Sequence, residues 1–250
     1  MSRRTKDTVK LSKSLSYLLR HGAEKKGFKL LPGGFLYVDD ILNSQDFQSV
    51  TVADIEQVVE NNDKKRFTLE SDADTGRLKI RANQGHSIQV EDLDLKPITD
   101  ASDYPVVVHG TYQRPFKSIA KEGLKRMGRI HIHFAPGEPG ADGVISGMRK
   151  SCTVLIYLNL QKALQDGFQF FLSANNVILS PGNGDGVIPP VYFEKVIDRS
   201  TGEKIFQDGA YLKTESLNQV LENIQLEPDV MTAEDVAAEF DKKGNRRKKK

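Results

Sequence analysis

The chain has 250 residues, 38% hydrophobic and 28% charged, which suits one large domain or two small ones with a real core; no run nears the roughly 18 apolar residues of a membrane span. A single cysteine, Cys152, excludes an intrachain disulfide and a cysteine-built zinc site; no apolar stretch of the secretory kind follows Met1–Lys6, so cytosol or nucleus is the expected compartment. The net charge of +2 hides an asymmetry: seven of 36 basic residues crowd into the last nine, leaving 29 against 34 acidic, a net of −5, so a phosphate site in the body must be a local cluster of cations.

Taken in order, Leu11, Leu15, Leu18 and Leu19 form one stripe at helical spacing and predict a helix over residues 8–21, with Gly22 in the left-handed position past its end. Phe35–Val38 reads as extended, followed by a short helix capped by Asp39 or Asp40. A second helix runs from Val52 to Glu60, with Thr51 and Asp54 as a capping box and Ile55, Val58 and Val59 as its apolar face. Arg66–Leu69 and Leu78–Arg81 flank the turn Asp74-Thr75-Gly76 as a hairpin. Helices followed by a hairpin suggest a winged-helix-like lobe over residues 1–98, with a linker around Thr99–Pro105.

The next stretch, 104–228, is richer in strands. Val106–His109, Ile130–Phe134, Val154–Leu158, Phe170–Leu172, Val177–Leu179 and Val191–Phe193 are the candidates, with a helix at Pro115–Glu122 closed by Gly123 and a loop at Pro181–Gly186. No repeat is visible, and the fold class is α+β. Residues 229–250 read as an acidic-to-basic disordered tail, with nuclear targeting or loose RNA contact as its functional reading.

Five histidines carry most of the chemical interest. Arg20-His21 at a helix end either complements the macrodipole or clamps a phosphate, the guanidinium bidentately and the imidazole by a hydrogen bond or proton. Lys13, Tyr17 and His21 are spaced by four and share a helix face that could track an RNA backbone. Lys64-Lys65-Arg66 is a solvated turn unless the hairpin returns it toward Arg20, and Arg81 reads as a surface charge. In Gln84-Gly85-His86-Ser87 the glycine lets backbone approach a ligand. His131 and His133 share a strand face. With His109 they could be hydrogen-bonded interior groups or metal ligands, but no acid lies adjacent in the manner of a facial triad.

Six stretches together resemble the tRNA 2′-phosphotransferase family: Leu11-Ser12-Lys13 through Arg20-His21; Asn62–Phe67; Gln84–Ser87; His109-Gly110-Thr111; Arg129–His133; and Gly143–Arg149. They stand in the family's order across residues 10 to about 195. Two positions depart from its usual pattern, Met127-Gly128-Arg129-Ile130 for Ser-Arg-Asn and Phe134 for Leu, and Pro181–Pro190 reads as an insertion.

The resemblance implies an RNA-binding winged-helix lobe and an ADP-ribosyltransferase-like lobe holding NAD⁺. It places the catalytic set on Arg20, His21, Arg66 and Arg129. NAD⁺ contacts fall on His109, Gly110, Thr111, His131, His133 and Arg149, and RNA contacts on Lys13, Gln84, Gly85, His86 and Ser87. The implied reaction has two steps. The RNA 2′-phosphate displaces nicotinamide from NAD⁺, giving an ADP-ribosylated 2′-phospho-RNA; the ribose 2″-hydroxyl then attacks the phosphorus. RNA 2′-OH and ADP-ribose 1″,2″-cyclic phosphate result. The expected partners are 2′-phosphorylated tRNA and NAD⁺, with no metal and no membrane, and the protein is expected to be a monomer. Three alternatives stay open: an ADP-ribosyltransferase acting on nucleic-acid phosphates or protein, a non-enzymatic winged-helix nucleic-acid binder, and a histidine-based metalloenzyme.

Overall fold

The leucine stripe does build the first helix. In a computed structural model, α1 (Arg3–Tyr17) runs into a π-helical turn, Leu18–Gly22, which buries Leu18 and Leu19 beside Leu15. The extra residue in this wider turn shifts everything after Tyr17 around the axis. Gly22 is therefore not the left-handed terminator expected of it. That conformation falls on Gly27 (φ 79°), which closes the next short turn through its N–H to the Glu24 carbonyl at 3.0 Å. Residues 3–141, 144, 148–149, 151–207 and 209–212 are described, all in one compact unit; the expected tail at 229–250 and residues 213–228 fall outside them.

β1 (Phe35–Tyr37) leads into α2 (Val38–Leu42). Neither Asp39 nor Asp40 caps α2: both lie in its first turn, where they favour the dipole and pair with Arg77 at 2.7 and 2.6 Å. α3 (Val52–Glu60) carries the expected capping box. Asp54 N–H donates to Thr51 Oγ1 at 3.3 Å, and Thr51 N–H donates to Asp54 Oδ2 at 2.9 Å. β2 (Phe67–Ser71) and β3 (Leu78–Ala82) form the hairpin, and β1 adds to β3 in an antiparallel sheet ordered β1-β3-β2. Its apolar face meets the helices through Leu15, Leu19, Ile41, Ile55, Phe67 and Ile80.

The chain joins the second core earlier than the pattern suggested. β4 (Leu95–Pro97), on the near side of the expected division at residue 98, pairs with β9 (Phe171–Ser173). β10 (Ile178–Ser180) and β7 (Ile132–Phe134) complete a sheet ordered β4-β9-β10-β7. β5 (Val108–Thr111), β8 (Val154–Leu158), β12 (Phe193–Asp198), β13 (Lys204–Gln207) and β14 (Ala210–Tyr211) form another, ordered β14-β13-β12-β8-β5. The two are stitched where Val108 and Ala135 exchange backbone bonds of 3.0 and 2.8 Å. Phe116, Phe134, Phe170, Phe193 and Phe206 fill this core, covered by α4 (Gln113–Glu122) and α5 (Leu160–Gln165).

Several strands are shorter than their alternation suggests. Ile130 and His131 precede β7, and Val191 and Tyr192 sit in a 3₁₀ turn that opens β12. Residues 181–190 contain a two-residue strand, β11 (Val187–Ile188), paired with β6 (Leu124–Lys125). The architecture is mixed α/β, with several sheets and few helices.

Gly123 shows how tightly β6 is held against that loop. Its φ of 86° and ψ of 174° belong to a region essentially reserved for glycine, and a Cβ there would lie 2.5 Å from the Ile188 carbonyl oxygen. Gly123→Ala is expected to cost about 3 kcal/mol, measured as a lower urea midpoint at unchanged slope; a loss within experimental error would contradict this account of the turn.

Candidate active site

The π-turn sets the first two cationic groups. Ser87 binds both: its N–H donates to the Arg20 carbonyl at 3.0 Å, and its Oγ is hydrogen-bonded to His21 Nδ1 at 2.8 Å. Gly85, at φ +90°, lets the loop pass over the Arg20 side chain; a Cβ there would meet the guanidinium carbon at 3.5 Å. Nε and Nη2 of Arg20 are buried and have no hydrogen-bond partner. The polar loop expected to meet RNA thus first encloses an arginine. His86 in that loop is only 1% exposed, so its ring lies under the site rather than on it, and Gln84 is buried as well. The His86 carbonyl accepts the Ile130 N–H at 3.0 Å, which ties the loop to the residue after Arg129.

Arg66 is aimed by an asparagine that composition does not single out. Asn62 Oδ1 accepts Arg66 Nη1–H at 3.0 Å, the Arg66 N–H at 3.4 Å and the Lys64 N–H at 3.2 Å. Lys65, at φ 41°, is held between them by Asn83, whose Nδ2 donates to the Lys65 carbonyl at 2.8 Å. From the second half, buried Asn175 donates from Nδ2 to the Lys64 carbonyl at 3.0 Å, and its own Oδ1 accepts from Ser173 Oγ. The hairpin does return Lys64–Arg66 toward Arg20. Asn62 is a local brace, within the Asn62–Phe67 stretch, whereas those of Asn83 and Asn175 are legible only after folding, because they reach across 18 and 111 positions.

Arg129 sits on a turn braced by the supposed insertion. The Arg126 N–H donates to the Gly186 carbonyl at 2.9 Å, and Arg126 Nη1 donates to the Arg129 carbonyl at 3.1 Å. Just beyond, His109 Nδ1–H donates to the His133 carbonyl at 2.8 Å, which fixes its tautomer. His133 is buried with Nε2 unpartnered, and His131 packs edge-on to Phe171 with ring centroids 6.3 Å apart. Thr111 is buried, and Gly110 is crowded by Cys152 rather than opened to a ligand: a Cβ there would stand 2.8 Å from Sγ. Arg149 is exposed; Gly143, Ile145, Ser146 and Gly147 of the sixth motif lie outside the described residues.

The electrostatics show convergence. Arg20 is pushed down to about 10, first by burial and then by the positive charges of Arg129 and Arg66. His21 is lowered by burial, Arg20 and Arg129, and His133 well below the usual imidazole range by burial first and then Arg129. No ion pair among the described residues involves Arg20, Arg66 or Arg129. Arg81 makes the contrast: expected at the surface, it is buried, stacked over Phe35 at 4.9 Å and paired with Asp94 at 2.8 Å. Lys13 is exposed on α1. Among the described residues no group of three or more His, Cys, Asp or Glu is arranged to hold a metal. A cavity of about 490 Å³ beside Tyr104, Asn159, Gln161 and Glu194 contains none of the cluster residues.

His86 yields a pH signature. Burial, then Arg20 and His21, hold its imidazole at about 3 against an ordinary 6.5. Between those values the unfolded chain binds the extra proton, so acid favours unfolding; the contribution is fully present above 6.5 and is lost as the pH falls. Between about pH 7.5 and about pH 5 the wild type should lose about 2 kcal/mol that His86→Asn does not, read from urea midpoints; equal losses would contradict a buried neutral His86.

Comparison with known proteins identifies the family. Residues 6–182 match the model of the RNA 2′-phosphotransferase, Tpt1 / KptA family. The chain is 51% identical over 189 residues to tRNA 2′-phosphotransferase 1 of Danio rerio, covering 75% of this chain and 84% of that protein. It is 47% identical over 191 residues to the Homo sapiens protein of the same name (76% and 75%). With the tRNA 2′-phosphotransferase of Saccharomyces cerevisiae it shares 39% over 203 residues (77% and 84%). A family match across this span, with the motif arginines and histidines gathered in one place, makes the chain a member of the RNA 2′-phosphotransferase family.

Proposed function

We propose that this enzyme removes the splice-junction 2′-phosphate of tRNA and transfers it to NAD⁺, giving RNA 2′-OH, nicotinamide and ADP-ribose 1″,2″-cyclic phosphate. One observation carries the reading: two buried guanidinium donors of Arg20 have no partner and are repelled by Arg66 and Arg129. Such a group is costly until an anion arrives. A phosphate monoester meets the need, having several acceptor oxygens and up to two negative charges.

In this reading Arg20, His21 and Arg66 hold the 2′-phosphate from the first half of the chain, and Arg129 reaches it from the second. Spread charge on the transferring phosphoryl group is stabilised by cations already in position, so the arginines do what a metal does elsewhere. NAD⁺ supplies an anomeric carbon bearing a good leaving group and a neighbouring 2″-hydroxyl. The fit to this co-substrate rests on the second-half surface beside Arg129: buried His133 with an unpartnered Nε2, His109 with its free Nε2 set by the bond to the His133 carbonyl, and Arg149. His21, held by Ser87 and depressed by its cationic neighbours, regains basicity when a phosphate dianion docks, and can then pass a proton to the departing 2′-oxygen. The same reading takes the first half as a winged-helix-like RNA lobe and the second as ADP-ribosyltransferase-like. It places a monomeric enzyme in cytosol or nucleus.

The decisive assay incubates the protein with a short RNA bearing an internal 2′-phosphate, with and without NAD⁺. Phosphate loss and nicotinamide release should occur together and only with NAD⁺; products that stop at ADP-ribosylated RNA would favour the ADP-ribosyltransferase reading. Arg20→Leu should lose about a hundredfold in rate yet melt no earlier than the wild type without anion, because it removes an unpaired buried charge. A variant that is both inactive and markedly less stable would point to a structural arginine.

A further inference from the structure

One exposed aromatic beside the cluster has no task in the reaction. Tyr17 closes α1 and is 49% exposed. Its ring lies across the π-turn: a Cβ on Gly22 would stand 2.6 Å from Cε1 and 3.2 Å from Cζ, so the absent side chain of Gly22 is what admits it. The ring centroid is 6.2 Å from that of His21. The Tyr17 hydroxyl has no hydrogen-bond partner among the described residues, so no polar anchor explains the ring's position. Gly22 here lacks the positive φ that would require glycine for the backbone. What Gly22 provides here is the room that the ring occupies.

We propose that Tyr17 is a stacking platform for a nucleobase flanking the 2′-phosphorylated nucleotide. The proposal rests on the phosphotransferase reading for where the phosphate sits. A phosphate held by Arg20 and His21 brings the adjoining nucleosides alongside this helix face, where the Tyr17 ring packs against Gly22 and half of the residue stays exposed. Every base has a π-face, so stacking adds affinity without reading sequence. It does require a base out of its helix, and therefore selects unpaired junction nucleotides over duplex ones. Exposed Lys13, one turn back on the same face, suits the backbone phosphate that follows.

The test uses the full chain and a short 2′-phosphorylated RNA carrying 2-aminopurine next to the phosphate; the chain contains no tryptophan to interfere with its fluorescence. Wild type and Tyr17→Phe should quench the probe. Tyr17→Ala should not quench it and should bind the RNA about tenfold more weakly. In turnover, Tyr17→Ala should raise the KM for RNA by a similar factor, with kcat and the KM for NAD⁺ changed by less than about twofold. Tyr17→Ala should lose nothing further on an RNA made abasic at that position. Equal quenching by wild type and Tyr17→Ala, or an equal loss on intact and abasic RNA, overturns the platform. Quenching that depends on Tyr17 in a protein that never removes phosphate would sink the phosphotransferase reading instead and leave the base site standing.

Discussion

Repulsion of the buried Arg20 guanidinium by Arg66 and Arg129 is the constraint around which the rest of the molecule is arranged. All three guanidinium groups are partly dehydrated, and Arg20 is pushed away by the other two unless something else fixes their backbones. The bonds that fix them go to carbonyls or to neutral amides and leave guanidinium donors free. Ser87 holds the Arg20 carbonyl, Asn62 and Asn175 hold the Arg66 loop, and Ile130 takes the carbonyl of His86. A carboxylate in any of those places would neutralise the site. Where the fold needs only stability it uses that solution, pairing Arg77 with Asp39 and Asp40 and Arg81 with Asp94.

The same logic explains the neutral histidines. Burial beside arginines holds His86 and His133 far below the usual imidazole range, so neither adds to the cationic crowding at neutral pH. His86 is a support: its buried ring packs near Gly34, and its carbonyl joins the two halves. Residues 181–190 serve a similar purpose from the other side. β11 closes on β6, and Gly186 receives the Arg126 N–H, so the turn bearing Arg129 hangs from the loop that had no assigned role.

These braces have a dynamic consequence. Arg20, Arg66 and Arg129 are borne on turns rather than on long helices or central strands, and each turn is secured by a few specific bonds. Small losses in those bonds therefore misplace a guanidinium before they unfold the chain, and loss of rate should precede loss of stability.

Local pattern determined a good deal. Leu11–Leu19 spacing specifies α1, Thr51 with Asp54 starts α3 at its observed residue, and the unbroken apolar run Val154–Leu158 is a central strand. These are readable because periodicity and capping act over a few residues. The ordered motifs likewise pointed to the family. Tertiary structure alone decided which arginine is charged and unpaired and which is neutralised, since Arg20 and Arg81 differ only in what the fold brings to them. It also decided that Leu95–Pro97 joins the second sheet, that Gly22 makes space rather than a left-handed turn, and that Asn175 holds the Lys64 carbonyl beside Arg66. The physical reason is distance along the chain: burial, repulsion and cross-chain hydrogen bonds are set by neighbours that no local window contains.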